Sequence, residues 1–129
     1  MRRPALVMLA CASLLAGCGG DKDEDAAGPT VTTPVEKGLS VVASEYAYKP
    51  KNVVVTGAGE LKITLDNRGS LAHNLKLERD GRDLGGSPTF PGGEARSGTV
   101  SVTAGSYRMV CTVGNHEQLG MKGTLEVRR

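Results

Sequence analysis

From Leu39 onward apolar and polar residues alternate with a period of two, as in Leu39-Ser40-Val41 and Leu61-Lys62-Ile63-Thr64-Leu65. That period sends successive side chains to opposite faces of a strand, one face buried and the other wet. It predicts strands over 39–44, 52–55, 61–66, 73–78, 98–102, 107–111 and 123–127. Turn chemistry separates them at Gly57-Ala58-Gly59, Asn67-Arg68-Gly69, Asp80-Gly81, Pro91-Gly92-Gly93 and Ala104-Gly105. No stretch of useful length carries the helical period. About seven short strands in roughly ninety residues form the pattern of an all-β Greek-key sandwich, expected over residues 39–129. The pairs Gly85-Gly86 and Gly92-Gly93 read as turns, because neither has the following helix and Lys of a phosphate loop.

The segment before this domain is different. Gly19 to Gly38 has no apolar period and carries five acidic residues against two lysines. Such a stretch cannot bury enough apolar surface to offset its ordering entropy. It reads as a disordered tether with an average reach on the order of 25 Å. At the start, Arg2 and Arg3 precede an apolar run from Ala5 to Leu15 that only Ser13 interrupts. The run is too short for a bilayer core, which takes about 20 helical residues, but it suits the h-region of a signal peptide. It ends in Leu15-Ala16-Gly17-Cys18, which resembles the lipobox of bacterial lipoproteins. That resemblance implies cleavage before Cys18, a diacylglycerol on its thiol and a palmitate-type acyl chain on the new amine. The expectation is therefore a signal peptide at 1–17, a lipidated Cys18 with its tether at 18–38, and anchorage to a bacterial membrane facing the periplasm or the cell exterior. An ordinary secretory signal with an accidental Cys is the plainer alternative. A twin-arginine signal would need flanking residues that are missing here.

Composition narrows the function. At 129 residues the chain has room for one domain, which excludes large multi-domain enzymes. Sixteen Lys+Arg against fourteen Asp+Glu give +2, and loss of Arg2 and Arg3 with the signal would leave the chain balanced. Without a basic tract it is a poor nucleic-acid binder. Four aromatic residues (Tyr46, Tyr48, Phe90, Tyr107) and no Trp leave a core of Val, Leu, Ile and Ala. Of three cysteines, Cys11 would leave with the signal and Cys18 would be blocked, so Cys111 is the one remaining thiol. No internal disulfide can form. A lone thiol in an exported protein oxidises or pairs between chains, so its presence calls for a purpose.

The purpose is suggested by its neighbours. The chain holds two histidines, His73 and His116. In the run from Cys111 to Met121 an imidazole lies five residues after the thiol and a thioether five residues further on. A sandwich gathers strand ends at one pole, which would bring His73 to the same loop. Two imidazole nitrogens and a thiolate in a trigonal set, with a distant axial Met, describe a blue-copper electron-transfer site.

The runs Gly105-Ser106-Tyr107-Arg108-Met109-Val110-Cys111 and Met121-Lys122-Gly123-Thr124-Leu125-Glu126-Val127 resemble the C-terminal signature of cupredoxins, the plastocyanin and azurin superfamily. Leu71-Ala72-His73-Asn74-Leu75 is similar to that family's first-ligand motif, and the turns at Pro50…Val55-Thr56-Gly57 and Phe90-Pro91-Gly92 also fit. The resemblance covers roughly residues 39–129. It implies one copper ion with His73, Cys111 and His116 as equatorial ligands and Met121 as the axial one. Asn74 would help fasten the ligand loops to each other. Where many relatives have Pro-Gly before the second histidine, this chain has Gly114-Asn115. Asn tolerates positive φ, so the turn is feasible, with a less constrained loop in the absence of metal.

Function follows as an expectation. The protein is read as a non-enzymatic, monomeric shuttle of single electrons between protein partners, with His116 as the electron port inside an apolar patch of Leu71, Ala72, Val113 and Leu119. Copper oxidases and nitrite reductases need histidines beyond those available; Val110 and Thr112 flank Cys111 instead. A Cys/His nucleophile has no orienting third group in the loop. A zinc-loaded structural domain would leave the Met without a role. The main alternative is copper storage or delivery at the cell surface, which usually calls for additional Met or His residues. Met109, two residues before Cys111, reads as core packing, and Gln118 lies too near His116 to serve as an axial oxygen donor.

Overall fold

Where one face of a strand is buried, the alternation in the sequence becomes alternation in burial. In β2 (Leu39–Ser44) Leu39, Val41 and Ala43 are buried while Ser40 and Ser44 are exposed. In β5 (Gly59–Asn67) Leu61, Ile63, Leu65 and Asn67 are fully buried. The computed structural model describes residues 28–129. Residues 1–27, with the expected signal segment, Cys18 and most of the tether, lie outside the described residues.

Ten strands form two sheets among the described residues. Besides β2 and β5 these are β1 (Thr30–Pro34), β3 (Ala47–Lys49), β4 (Asn52–Thr56), β6 (Lys76–Arg79), β7 (Arg82–Gly86), β8 (Ala95–Val102), β9 (Gly105–Val110) and β10 (Lys122–Arg128). One sheet has the order β1-β4-β10-β9-β6-β7 and the other β3-β2-β5-β8. Among the described residues, helical structure is limited to one 3-10 turn at Val35–Lys37. The expected sandwich is present, with ten strands rather than about seven. The additions are β1, β3 and β7, all short and all at sheet edges.

The first addition also corrects the extent of the tether. Thr30–Pro34 pairs in parallel with Asn52–Thr56, and β10 pairs in parallel with the other side of β4. Ordered structure thus starts before Gly38. Three Thr and a Val, good strand formers, gain their backbone hydrogen bonds from the edge of a formed sheet. Gly85 and Gly86 likewise lie in β7 and are not a turn. A Cβ at Gly86 would overlap the Leu75 carbonyl, and one at Gly98 would overlap that of Gly86. These glycines let β7 approach β6 and β8 closely. The turn between β6 and β7 is Asp80-Gly81, both with positive φ (52° and 74°), as a two-residue type I′ hairpin requires.

The core lies between the sheets. Leu39, Val41, Leu61, Ile63, Leu65, Val100 and Val102 face Val53, Val55, Leu77, Tyr107, Met109, Leu125 and Val127. β9, which delivers Cys111, is pinned near its start by a tyrosine corner. The Tyr107 hydroxyl accepts from the Thr103 N–H at 2.9 Å and donates to the Thr103 carbonyl at 3.0 Å. The Arg79 guanidinium lies 5.0 Å over the Tyr107 ring.

Candidate metal centre

The centre sits at the pole where β9 ends and β6 and β10 begin. Cys111 immediately follows β9, and its N–H donates to the Met121 carbonyl at 3.2 Å. Between them the chain folds into consecutive turns. The His116 N–H donates to the Val113 carbonyl at 3.0 Å, the Leu119 N–H to His116 at 3.1 Å and the Met121 N–H to His116 at 3.0 Å. The positive φ required here falls on Gly114 (48°), not on Asn115. His73 arrives from the other direction, held to Phe90 by a pair of backbone hydrogen bonds of 3.2 Å each.

Asn74 ties these pieces together. Its amide nitrogen donates to the hydroxyls of Thr89 and Thr112, each at 2.8 Å, and its amide oxygen accepts the Thr112 N–H at 2.9 Å. Its own carbonyl accepts from the buried Tyr48 hydroxyl at 2.6 Å. The residue after His73 is therefore locked to the residue after Cys111.

The result is a dry cluster of donors. His73 Nδ1 and His116 Nδ1 are 3.2 Å apart, and Cys111 Sγ is 3.6 Å from His116 Nδ1. One donor atom from each of the three residues lies within 4.8 Å of the other two, and all three residues are buried. An ion bound by nitrogen and sulfur at about 2.0–2.3 Å in a trigonal arrangement holds its ligands roughly 3.5 Å apart. The spacing matches a shared metal ion, and the soft sulfur with two imidazoles suits copper. Met121 is fully buried, with its backbone bonded to both Cys111 and His116. Gln118 is exposed, and Met109 is fully buried in the core.

Comparison with known proteins points the same way. The sequence profile of the copper binding proteins of the plastocyanin/azurin family matches residues 35–128. The chain belongs to that family. A comparison with curated protein sequences finds no match. Among solved structures, reduced auracyanin from the photosynthetic bacterium Roseiflexus castenholzii superposes with a TM-score of 0.63 at 18% identity, covering 71% of this chain and 97% of that one. Auracyanin A, a "blue" copper protein from the green thermophilic photosynthetic bacterium Chloroflexus aurantiacus, gives 0.59 at 22% identity, over 78% of this chain and 100% of its own. Reduced rusticyanin gives 0.58 at 19% identity, over 75% and 84%. These likenesses establish the cupredoxin fold. The family and the donor set make the cofactor of this chain one type 1 copper ion.

The cupredoxin centre has neighbours that the sequence did not mark. Tyr46, at positive φ in the turn between β2 and β3, meets the His116 ring edge to face at 5.0 Å. Glu45, in the same turn, approaches His73 Nε2 at 3.3 Å and accepts the backbone N–H groups of Ser70 and Leu71 at 2.7 and 2.9 Å. The Leu71 hydrogen bond, ahead of those from Ser70 and His73, holds this carboxyl below its ordinary range despite some desolvation. Burial foremost, and then the adjacent Cys111 sulfur, pushes the Tyr48 phenol far above its usual value. It therefore stays protonated and donates to Asn74. Asn67, also fully buried, binds the Leu71 and Phe90 carbonyls through its amide nitrogen and receives the Gly69 N–H on its oxygen. A charged residue and a tyrosine beside a predicted strand end look like ordinary surface. Their partners lie 25 or more residues away, so no local pattern could have exposed them.

Proposed function

We propose that the protein is a single-electron carrier, tethered by a lipid on Cys18 to the outer face of a bacterial membrane, in which His73, Cys111, His116 and Met121 would hold the copper ion. The observation that carries this reading is the buried convergence of two imidazole nitrogens and one thiol within 4.8 Å. When bound, copper supplies reversible one-electron cycling between Cu(I) and Cu(II). The protein supplies a frame that changes little. Backbone bonds close the 111–121 loop, and Asn74 fixes it to the His73 segment. Such a frame leaves little rearrangement to accompany electron transfer.

Electrons would pass by way of His116, which is 8% exposed, at a surface where Leu71 and Leu119 are 42% and 50% exposed. Exposed apolar side chains on the two segments that carry the histidines favour docking of a protein partner. An enzymatic copper reaction is disfavoured because the chain has two histidines, both in this centre. Copper delivery is disfavoured because Met109 is fully buried and offers no surface thioether for handing on an ion.

Loading the protein with copper(II) is expected to give an intense blue colour, a small copper hyperfine splitting and a reversible one-electron electrode response. A colourless, redox-silent product that binds zinc equally well would refute the carrier. Anchorage is tested separately. Cys18→Ala should leave the precursor uncut or free of the membrane when fractions are blotted. A product still cut at the same bond and still membrane-bound would remove Cys18 from the account.

A further inference from the structure

Glu45 comes from the turn of the four-stranded sheet, yet its carboxylate enters the segment that carries His73. A single oxygen, Oε1, faces three nitrogens: Ser70 N at 2.7 Å, Leu71 N at 2.9 Å and His73 Nε2 at 3.3 Å. A carboxylate can only accept hydrogen bonds, whereas a neutral imidazole has one N–H and one bare nitrogen. His73 must therefore carry its proton on Nε2, which leaves the Nδ1 lone pair facing the donor cluster. We infer that Glu45 is a positioning residue: it sets the His73 tautomer and locks the approach of that ligand from outside the 111–121 loop. This rests on the reading of His73 as a copper ligand.

Gly69 is independent support. A Cβ there would overlap the Glu45 carboxylate, and its φ lies outside the left-handed region. Glycine at this position therefore gives space, not backbone freedom, and the space is filled by the carboxylate. Asn67 fixes the same segment through the Gly69 N–H and the Leu71 carbonyl. The partner of a metal-binding histidine's second nitrogen both orients the ring and raises its basicity. A carboxylate does this more strongly than a neutral carbonyl.

The test begins with metal-free, nitrogen-15-labelled protein. Imidazole resonances of the wild type should report the Nε2–H tautomer at His73. In Glu45→Ala they should show a mixture, with Ser70 and Leu71 amides exchanging on the order of tenfold faster. Copper affinity should fall by about 10–100-fold. Glu45→Gln keeps an oxygen acceptor in place and should restore the tautomer and the exchange protection. Gly69→Ala displaces the carboxylate without deleting it and should reproduce Glu45→Ala. An unchanged tautomer together with unchanged affinity in Glu45→Ala overturns the inference. If the wild type fails to bind copper, it is the copper-site reading that fails, and the tautomer and exchange data still decide the role of Glu45.

Discussion

Replacing Cys111 by Ser is expected to bleach the copper(II) protein while leaving the fold in place. The colour of such a site arises from charge transfer between a thiolate and copper(II), and Cys111 is the one thiol among the described residues. A serine hydroxyl is hard and stays protonated, so it cannot replace that sulfur. Cys111 is 1% exposed, but its N–H bond to Met121 is made by the backbone and survives the change. The loss of packing is small, because Ser differs from Cys by one atom. Circular dichroism should thus be preserved as the visible band disappears. Met121→Gln provides the contrast. An amide oxygen in place of a weakly bound thioether favours the oxidised ion, so the colour should persist and the reduction potential should fall. Equal effects from the two substitutions would contradict the assigned roles.

The sequence disclosed these parts unequally, for physical reasons. A period-two pattern requires one buried face. β2 and β5 have one, so both were legible, β2 to the residue and β5 as its central six of nine residues. In β1 and β7 the first three residues are exposed and the last two half-buried, and β3 has three residues. β1 and β7 show no alternation and β3, exposed-buried-exposed, is too short for one to register, while β1 is held by the pairing of its backbone with β4. The proposed copper ligands stood out because imidazole and thiol are scarce in this chain and have few bland uses in combination. Two histidines and one remaining thiol left hardly any choice. The surrounding supports are made of common residues. Glu45, Tyr48, Asn67 and Thr112 acquire meaning only when distant segments meet.

Among those supports Asn74 should matter most for stability. Asn74→Ala is expected to cost about 2–4 kcal/mol, because it removes three side-chain hydrogen bonds, each worth roughly 0.5–1.5 kcal/mol net. The loss should lie toward the upper end: Asn74 is 2% exposed, and the Thr112 N–H would be left without its acceptor. For a domain of this size the melting temperature should drop on the order of 10–20 °C. Calorimetry of the metal-free protein measures this without any contribution from copper. Because the lost bonds join the His73 and Cys111 segments, their backbone amides should lose exchange protection together, while those of β5 in the opposite sheet change little. Asn74→Asp separates geometry from chemistry. Its carboxylate can still accept the Thr112 N–H, but it buries a charge and has no N–H to give the two threonines. If Asn74→Ala melts within a degree of the wild type, the bridge seen between the two segments contributes nothing to holding them, and the rigidity assigned to the centre must come from the 111–121 turns alone.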